Sequence, residues 1–257
     1  MMAGIIIEQF PCLKDNYGFL VHDPASGLTA AIDTPEVEPI LAALKRRGWQ
    51  LDYILNTHHH WDHAGGNLAL KEQTGCTIVG AAADAHRIPG IDLEVTDGDR
   101  FELGDAVAGI IDTPGHTRGH IAWHFAGDRA LFVGDTLFAL GCGRLFEGSP
   151  GEMWHSLQRL AALPDETRVY CAHEYTQANA RFALAMEPGN QALRQRAEEV
   201  DALRAAGRPT VPTTIGIEKA TNPFLRAADP ALRAQLAMPG AGPVEVFAEA
   251  RRRKDHF

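Results

Sequence analysis

Positions 57–67 read Thr-His-His-His-Trp-Asp-His-Ala-Gly-Gly-Asn, with four histidines and one aspartate inside positions 58–63. Imidazole nitrogen and carboxylate oxygen are the donors that borderline cations such as zinc or iron take up. Spacing sorts the donors. On an extended backbone side chains alternate, so His58 and His60 point one way and His59 the other. Once the chain turns helical, Asp62 and His63 diverge by about 100 degrees. One short segment can therefore offer two ligands to one ion and two more to a neighbour. A solvated histidine-rich loop or a tag would not continue into Asp-His-Ala-Gly-Gly.

The elements that would carry further donors share one pattern. Tyr53-Ile54-Leu55 leads to His58 and His60, and Ala108-Gly109-Ile110-Ile111 to Thr113-Pro114-Gly115-His116. Ala130-Leu131-Phe132-Val133 leads to Gly134-Asp135, and Arg168-Val169-Tyr170-Cys171 to Ala172-His173. Each run reads as a strand with a donor just past its C-terminal end, where layered α/β proteins gather their ligand sites. If these strands share one edge, His58, His60, Asp62, His63, His116, Asp135 and His173 can converge. Seven ligands suit two metal ions bridged by one carboxylate. Ala30-Ala31-Ile32-Asp33 also ends in an acid, but Pro35 follows and no histidine accompanies it, so Asp33 reads as a turn or supporting residue. Among the other histidines, His120 is the best supporting candidate; His22, His59, His86, His124, His155 and His256 read as surface or packing residues.

Around these runs, strands are expected at 4–10, 17–21, 28–32, 52–56 and 77–79, with one or two more within 101–111. Helices are expected at 35–47, ending at Gly48, and at 64–73, ending at Gly75. Past His173 the pattern becomes helical: 177–186, then 191–206 capped by Asn190, then a strand-poor stretch at 208–223. Asp229-Pro230 is a helix start, and a last helix covers 244–254. The expectation is an α/β catalytic domain over 1–175 and a helical domain over 176–257.

A chain of 257 residues can bury a sizeable core, and no apolar run reaches membrane-spanning length. Positions 1–13 lack a basic region followed by a long apolar one, so no secretion signal is expected and a cytoplasmic location is. Cys12, Cys76, Cys142 and Cys171 form no Cys-x-x-Cys pair and read as reduced packing thiols. Net charge is −9, which argues against nucleic-acid binding. The charge is uneven: 1–175 hold 12 Lys/Arg against 24 Asp/Glu, and 176–257 hold 12 against 9. An anionic ligand is expected on the C-terminal part.

The His-x-His-x-Asp-His motif at 58–63, with His116, Asp135 and His173, resembles the metallo-β-lactamase superfamily, whose fold is an αββα sandwich with a two-metal site at one edge. Within it the chain is most similar to the hydroxyacylglutathione hydrolase (glyoxalase II) family. Thr57–Asn67, Thr113–Thr117, Gly141–Gly148, His173-Glu174-Tyr175-Thr176 and the tail Arg251–Asp255 carry that likeness, which spans nearly the whole chain. The resemblance implies His58, His60 and His116 on one metal, Asp62, His63 and His173 on the other, and Asp135 bridging. It implies two divalent ions (zinc first, with iron or manganese as alternatives) and a role in methylglyoxal detoxification. Arg144, Phe146, His173, Tyr175, Arg251 and Lys254 would bind a glutathione thioester. Some family members carry Tyr where this chain has Phe146, and Lys where it has Arg144; Phe146 keeps the ring and lacks the hydroxyl.

The implied reaction is hydrolysis of S-D-lactoylglutathione and other 2-hydroxyacylglutathiones. Two metals acidify bound water to a pKa of about 7, and Asp62 and Asp135 are the catalytic candidates beside that nucleophile. The leaving thiol has a pKa of about 8.5 and departs without a proton, so no general acid is required. Arg251 and Lys254, three apart on a helix, share a face and suit glutathione carboxylates; cations at a helix C-terminus also complement its dipole. No membrane or nucleic-acid partner is expected, and a monomer is. The rival readings are a glutathione persulfide dioxygenase with a single iron and a non-catalytic metal-binding module.

Overall fold

Residues 4–257 are described in this computed structural model. They gather into two units: residues up to Thr113 with Arg118–Gly134, and Pro114–Thr117 with Asp135–Phe257.

The first unit contains β1 (Ile6–Cys12), β2 (Asn16–His22), β3 (Thr29–Ile32), α1 (Val37–Arg47), β4 (Tyr53–Leu55), α2 (Trp61–Ala64), α3 (Asn67–Thr74) and β5 (Thr77–Ala81). It continues with β6 (Leu93–Val95), β7 (Arg100–Leu103), β8 (Ala106–Asp112), β9 (Ile121–Phe125) and β10 (Ala130–Gly134). One sheet runs in the order β1-β2-β3-β4-β5-β6, antiparallel as far as β3 and parallel from there on. Parallel neighbours need crossovers, and α1 and α2–α3 supply two of them. Gly48 ends α1 at φ 70 and Gly75 ends α3 at φ 74, the left-handed turn that glycine enters without strain.

Alternation along the strands separates two packed faces. Ile54 and Ile78 bury against Ile40, Leu44 and Leu70 of the helices, each such burial contributing about 1.5–3 kcal/mol. Tyr53 and Phe19 turn to the opposite face, meeting Phe101 at 5.1 Å and Phe132 at 5.6 Å between ring centroids. Those partners stand on a second sheet in which β10, β9, β8 and β7 pair antiparallel. From β9, Trp123 donates its indole N–H to the Asn56 carbonyl at 3.1 Å and Ile121 its N–H to Thr57 at 2.9 Å. The loop leaving β4 is thereby fixed to both sheets.

The second unit contains β11 (Leu137–Phe138), β12 (Gly141–Cys142), α4 (Pro150–Ala161), β13 (Arg168–Cys171) and α5 (Thr176–Met186). After these come α6 (Gln191–Ala205), β14 (Thr213–Thr214), α7 (Ile215–Thr221), α8 (Pro230–Gln235) and α9 (Pro243–Asp255). β11 and β12 form a hairpin, and β13 pairs antiparallel with β14. Leu140, Ala180, Ala183, Leu193 and Ala197 make a core between α5 and α6. Phe247 of α9 packs on Trp154 of α4 and on Phe224.

One expectation changes. The helix foreseen at 64–73 is broken at Gly65-Gly66, because the His63 carbonyl accepts from Thr34 N and Asn56 Nδ2 instead of continuing the helical ladder. The stretch at 208–223 is strand-poor as expected, with only the two-residue β14, and adds α7, capped by Thr214, whose hydroxyl accepts from Ile217 N at 3.2 Å. α4 is an addition; its signal was the Ser149-Pro150-Gly151-Glu152 capping box, in which both reciprocal bonds form.

Candidate metal centre

In the first unit the chain leaves β4 extended and turns into α2, with His58 and His60 on one side and His59 on the other. His58 Nε2 and His60 Nδ1 lie 3.1 Å apart, while His59 points elsewhere and meets buried Asp84 at 2.9 Å. Asp62 and His63, though adjacent, bring Oδ2 and Nε2 within 3.6 Å. The rings of His58 and His63 stand 4.0 Å apart, so the four candidate donors form one group.

Proton counting settles how these rings present themselves. Asp33 accepts the Thr57 N–H on Oδ1, and the Thr57 hydroxyl and His63 Nδ1 on Oδ2, at 2.7, 2.7 and 2.8 Å. With its one proton given to Asp33, the Thr57 oxygen accepts from His58 Nδ1 at 3.1 Å. In their neutral form His58 and His63 are therefore both held with Nδ1 as the donor and Nε2 as the acceptor, as second-sphere hydrogen bonds hold metal-ligating imidazoles. Asp33, His58 and His63 each offer an atom within 4.8 Å of the others, but both oxygens of Asp33 are committed to these three donors, so its role is orientation. It adopts φ 57 to do so.

Several supporting residues escaped the sequence reading. Asn16 donates to the Asp62 carbonyl and carboxylate, both at 3.3 Å. Asn56, Asn67 and Thr34 form a buried chain beneath the loop, Thr34 Oγ1 to Asn67 Oδ1 at 2.7 Å and Asn67 Nδ2 to Asn56 Oδ1 at 2.7 Å. His120, foreseen as a support, stacks on His58 at 4.7 Å and pairs with Thr113 Oγ1. Gly134 has φ +46, and a Cβ there would stand 2.4 Å from Thr57 Oγ1 and 2.7 Å from His120 Nε2.

In the second unit His116, Asp135 and His173 come together. Asp135 turns Oδ2 to His116 Nε2 at 3.4 Å and Oδ1 to His173 Nε2 at 3.3 Å. His116 Nδ1 donates to the Arg144 carbonyl at 2.9 Å, leaving Nε2 as an acceptor. Two imidazole nitrogens facing the two oxygens of one carboxylate are donors of the kind that hold a divalent cation. α4 supports this group from below: the Ser156 hydroxyl donates to the Pro114 carbonyl at 2.7 Å, and a Cβ on Gly115 would strike Met153.

The remaining candidates lie in the same unit. Phe146 is 62% exposed, with its ring 5.2 Å from His116. Tyr175, 38% exposed, stacks flat on His173 at 4.7 Å. Arg144 is exposed. Arg251 is only 6% exposed; it donates to the Cys142 carbonyl at 2.9 Å, pairs with Asp255 at 2.8 Å and lies over the Phe224 ring. Lys254 reaches the Ala178 carbonyl and faces the rings of Phe182 and Phe257. Burial, then the charges of Arg251 and Arg181, lower its pKa to about 8. Burial pushes the Cys142 thiol up to about 11.

A sheet-layered fold with these His/Asp clusters after its strands defines the class, and residues 18–173 match the model of the metallo-β-lactamase superfamily. Residues 174–257 match the model described as hydroxyacylglutathione hydrolase C-terminus. The chain is 63% identical over 251 residues, 98% of each chain, to the hydroxyacylglutathione hydrolase of Methylococcus capsulatus. It is 61% identical over 256 residues, the whole of each chain, to that of Maricaulis maris. Among solved structures, ETHE1 from Myxococcus xanthus superposes with a TM-score of 0.70 at 27% identity, over 96% of this chain and 90% of that one. The chain belongs to the hydroxyacylglutathione hydrolase family. Its fold is accordingly α/β, a metallo-β-lactamase αββα domain followed by a helical C-terminal domain. No helix among the described residues is long and apolar enough to cross a membrane.

Proposed function

We propose that the chain is a binuclear metal-dependent thioester hydrolase, cleaving S-D-lactoylglutathione and other 2-hydroxyacylglutathiones to glutathione and the free 2-hydroxy acid. The observation that carries this reading is Asp135, whose two oxygens face two separate imidazole nitrogens at 3.3 and 3.4 Å. On this proposal His58, His60 and His116 hold one ion, Asp62, His63 and His173 the other, and Asp135 serves both. Zinc is the first choice, with iron or manganese also compatible with His/Asp donors. The ions would supply acidified water and polarise the acyl carbonyl. The chain's own residues do the rest: Asp33, Thr57 and the Arg144 carbonyl fix the imidazole tautomers, and Asn16 steadies Asp62.

The substrate reading follows from the second unit. Tyr175 and Phe146 give exposed ring surface beside His173 and His116. Lys254, with Arg144 and Arg251 contributing charge around it, suits the carboxylates of glutathione. The working division is a catalytic domain over 1–175 and a substrate-binding domain over 176–257. We infer a cytoplasmic monomer; four buried free thiols fit a reducing compartment.

The test is thiol release from S-D-lactoylglutathione by the metal-loaded protein, beside elemental analysis. Two ions per chain and one thiol per thioester consumed are expected. Absence of thiol release, or one iron per chain with oxygen uptake on a glutathione persulfide, would overturn the proposal.

A further inference from the structure

Glu218 is a fully buried carboxylate in α7 with no part in the chemistry above. Its Oε2 accepts the backbone N–H of Leu140 at 2.7 Å and Asn222 Nδ2 at 2.9 Å, and its Oε1 accepts the Thr213 hydroxyl at 2.7 Å. Leu140 sits at the tip of the β11–β12 hairpin with φ 59, a conformation that costs a leucine free energy unless its surroundings hold it. The surroundings do hold it. Asn222, one helical turn after Glu218, shares its amide between the carbonyls of Gly141 at 2.9 Å and Phe138 at 3.2 Å. Asn179 of α5 donates to the Ala139 carbonyl at 3.1 Å.

The other end of the hairpin carries the candidate site. Gly143 N–H bonds to the Thr136 carbonyl at 3.2 Å, closing the base directly beside Asp135. A Cβ on Gly143 would stand 2.0 Å from the Asp135 carbonyl oxygen, so the two backbones touch. One residue further, the Arg144 carbonyl is the acceptor that orients His116. The hairpin is short: Leu137 pairs with Cys142 and Phe138 with Gly141, and nothing lies between tip and base to absorb a shift. We propose that Glu218 and Asn222 are positioning residues for the metal centre, setting through this hairpin where the Asp135 carboxylate and the Arg144 carbonyl stand. The inference rests on the metal assignment above for its consequence, and on α7 geometry for its cause.

The substitutions that test it are Glu218→Gln and Glu218→Met. Glutamine keeps an acceptor for Leu140 and Asn222, because the Thr213 hydroxyl can reverse and accept from the new amide. Methionine keeps the unbranched shape and removes the acceptor. Zinc affinity is measured by competition with a chromophoric chelator, and kcat and KM on S-D-lactoylglutathione. Supporting partners of metal ligands are worth about 10–100-fold in affinity or activity; for Glu218→Met, one step more remote, we expect about tenfold weaker zinc binding. The same variant should lose about tenfold in kcat with KM within about twofold, and Glu218→Gln should restore both. Should Glu218→Met fail to fold, Asn222→Ala, which removes the amide that donates to the Phe138 and Gly141 carbonyls and leaves the Glu218–Leu140 bond, gives the same readout. A purely structural role would lower Tm alone. Wild-type zinc affinity and kcat in folded Glu218→Met, or in Asn222→Ala should the methionine variant not fold, overturns the proposal, as does equal impairment in the glutamine variant. If the wild type hydrolyses no thioester, the hydrolase reading fails while the zinc competition still decides the hairpin clamp.

Discussion

Lys254 is the residue whose charge state is most exposed to test. Burial and neighbouring Arg251 and Arg181 lower its pKa from an ordinary 10.5 to about 8. In the free protein its ammonium is therefore lost as pH rises through about 8, and KM for a glutathione thioester should climb above that pH; in Lys254→Arg the climb should vanish, since guanidinium stays charged. The sign for stability is opposite: between about 8 and 10.5 the unfolded chain holds a proton the folded chain has shed, so this residue adds stability as pH rises through that window. Lys254→Met should raise KM roughly tenfold and leave kcat nearly unchanged, a charge-assisted hydrogen bond being worth about 1.5–3 kcal/mol. Gly143→Ala would press a methyl group onto the Asp135 backbone, and such overpacking costs about 1–3 kcal/mol; metal content of the purified variant should fall with activity. At this scale donors were legible in the sequence and their supports were not. His58, His60, Asp62 and His63 declare themselves by residue type and spacing. Asn16, Asn56 and Asn67 reach the site only through tertiary folding, and nothing in an isolated amide marks it as a support.

Among the elements, strands and helix ends followed from local rules wherever local rules had no rival. β4, β8, β10 and β13 each end just before a donor, and Gly48 and Gly75 stop their helices as glycines at that position should. The break between α2 and α3 was illegible because Thr34, 29 positions upstream of His63, takes the carbonyl a helix would use. α4 supports the His116 turn through Ser156 and begins at a reciprocal Ser149–Glu152 cap. Ser149→Ala should cost about 1 kcal/mol, lowering Tm by about 2–4 °C for a chain of this size. Thermal melts and steady-state rates should show the loss in Tm with kcat intact; a fall in kcat would mean that the cap also tunes the His116 turn.

For the whole molecule, the sequence division by charge, acidic before 175 and mildly basic after, agrees with a cationic group centred on Lys254. The buried Glu218 network had no sequence signal, since a lone glutamate on a short helix reads as solvated. If the seven proposed ligands hold metal in the folded chain alone, free metal at about 100 times its Kd adds roughly 2.7 kcal/mol. Chelation should then lower Tm by about 5–10 °C, and an unchanged melting curve would argue against tight binding. Trp61 offers a way to watch this happen. Of the four tryptophans it is the one that is 70% exposed, while Trp123 and Trp154 are buried, and it stands in the chain between two proposed ligands. Its indole emission should be red-shifted and open to collisional quenchers, and the emission should dim when iron is titrated in. The native chain thus carries an optical gauge of iron at this site, with no label to attach.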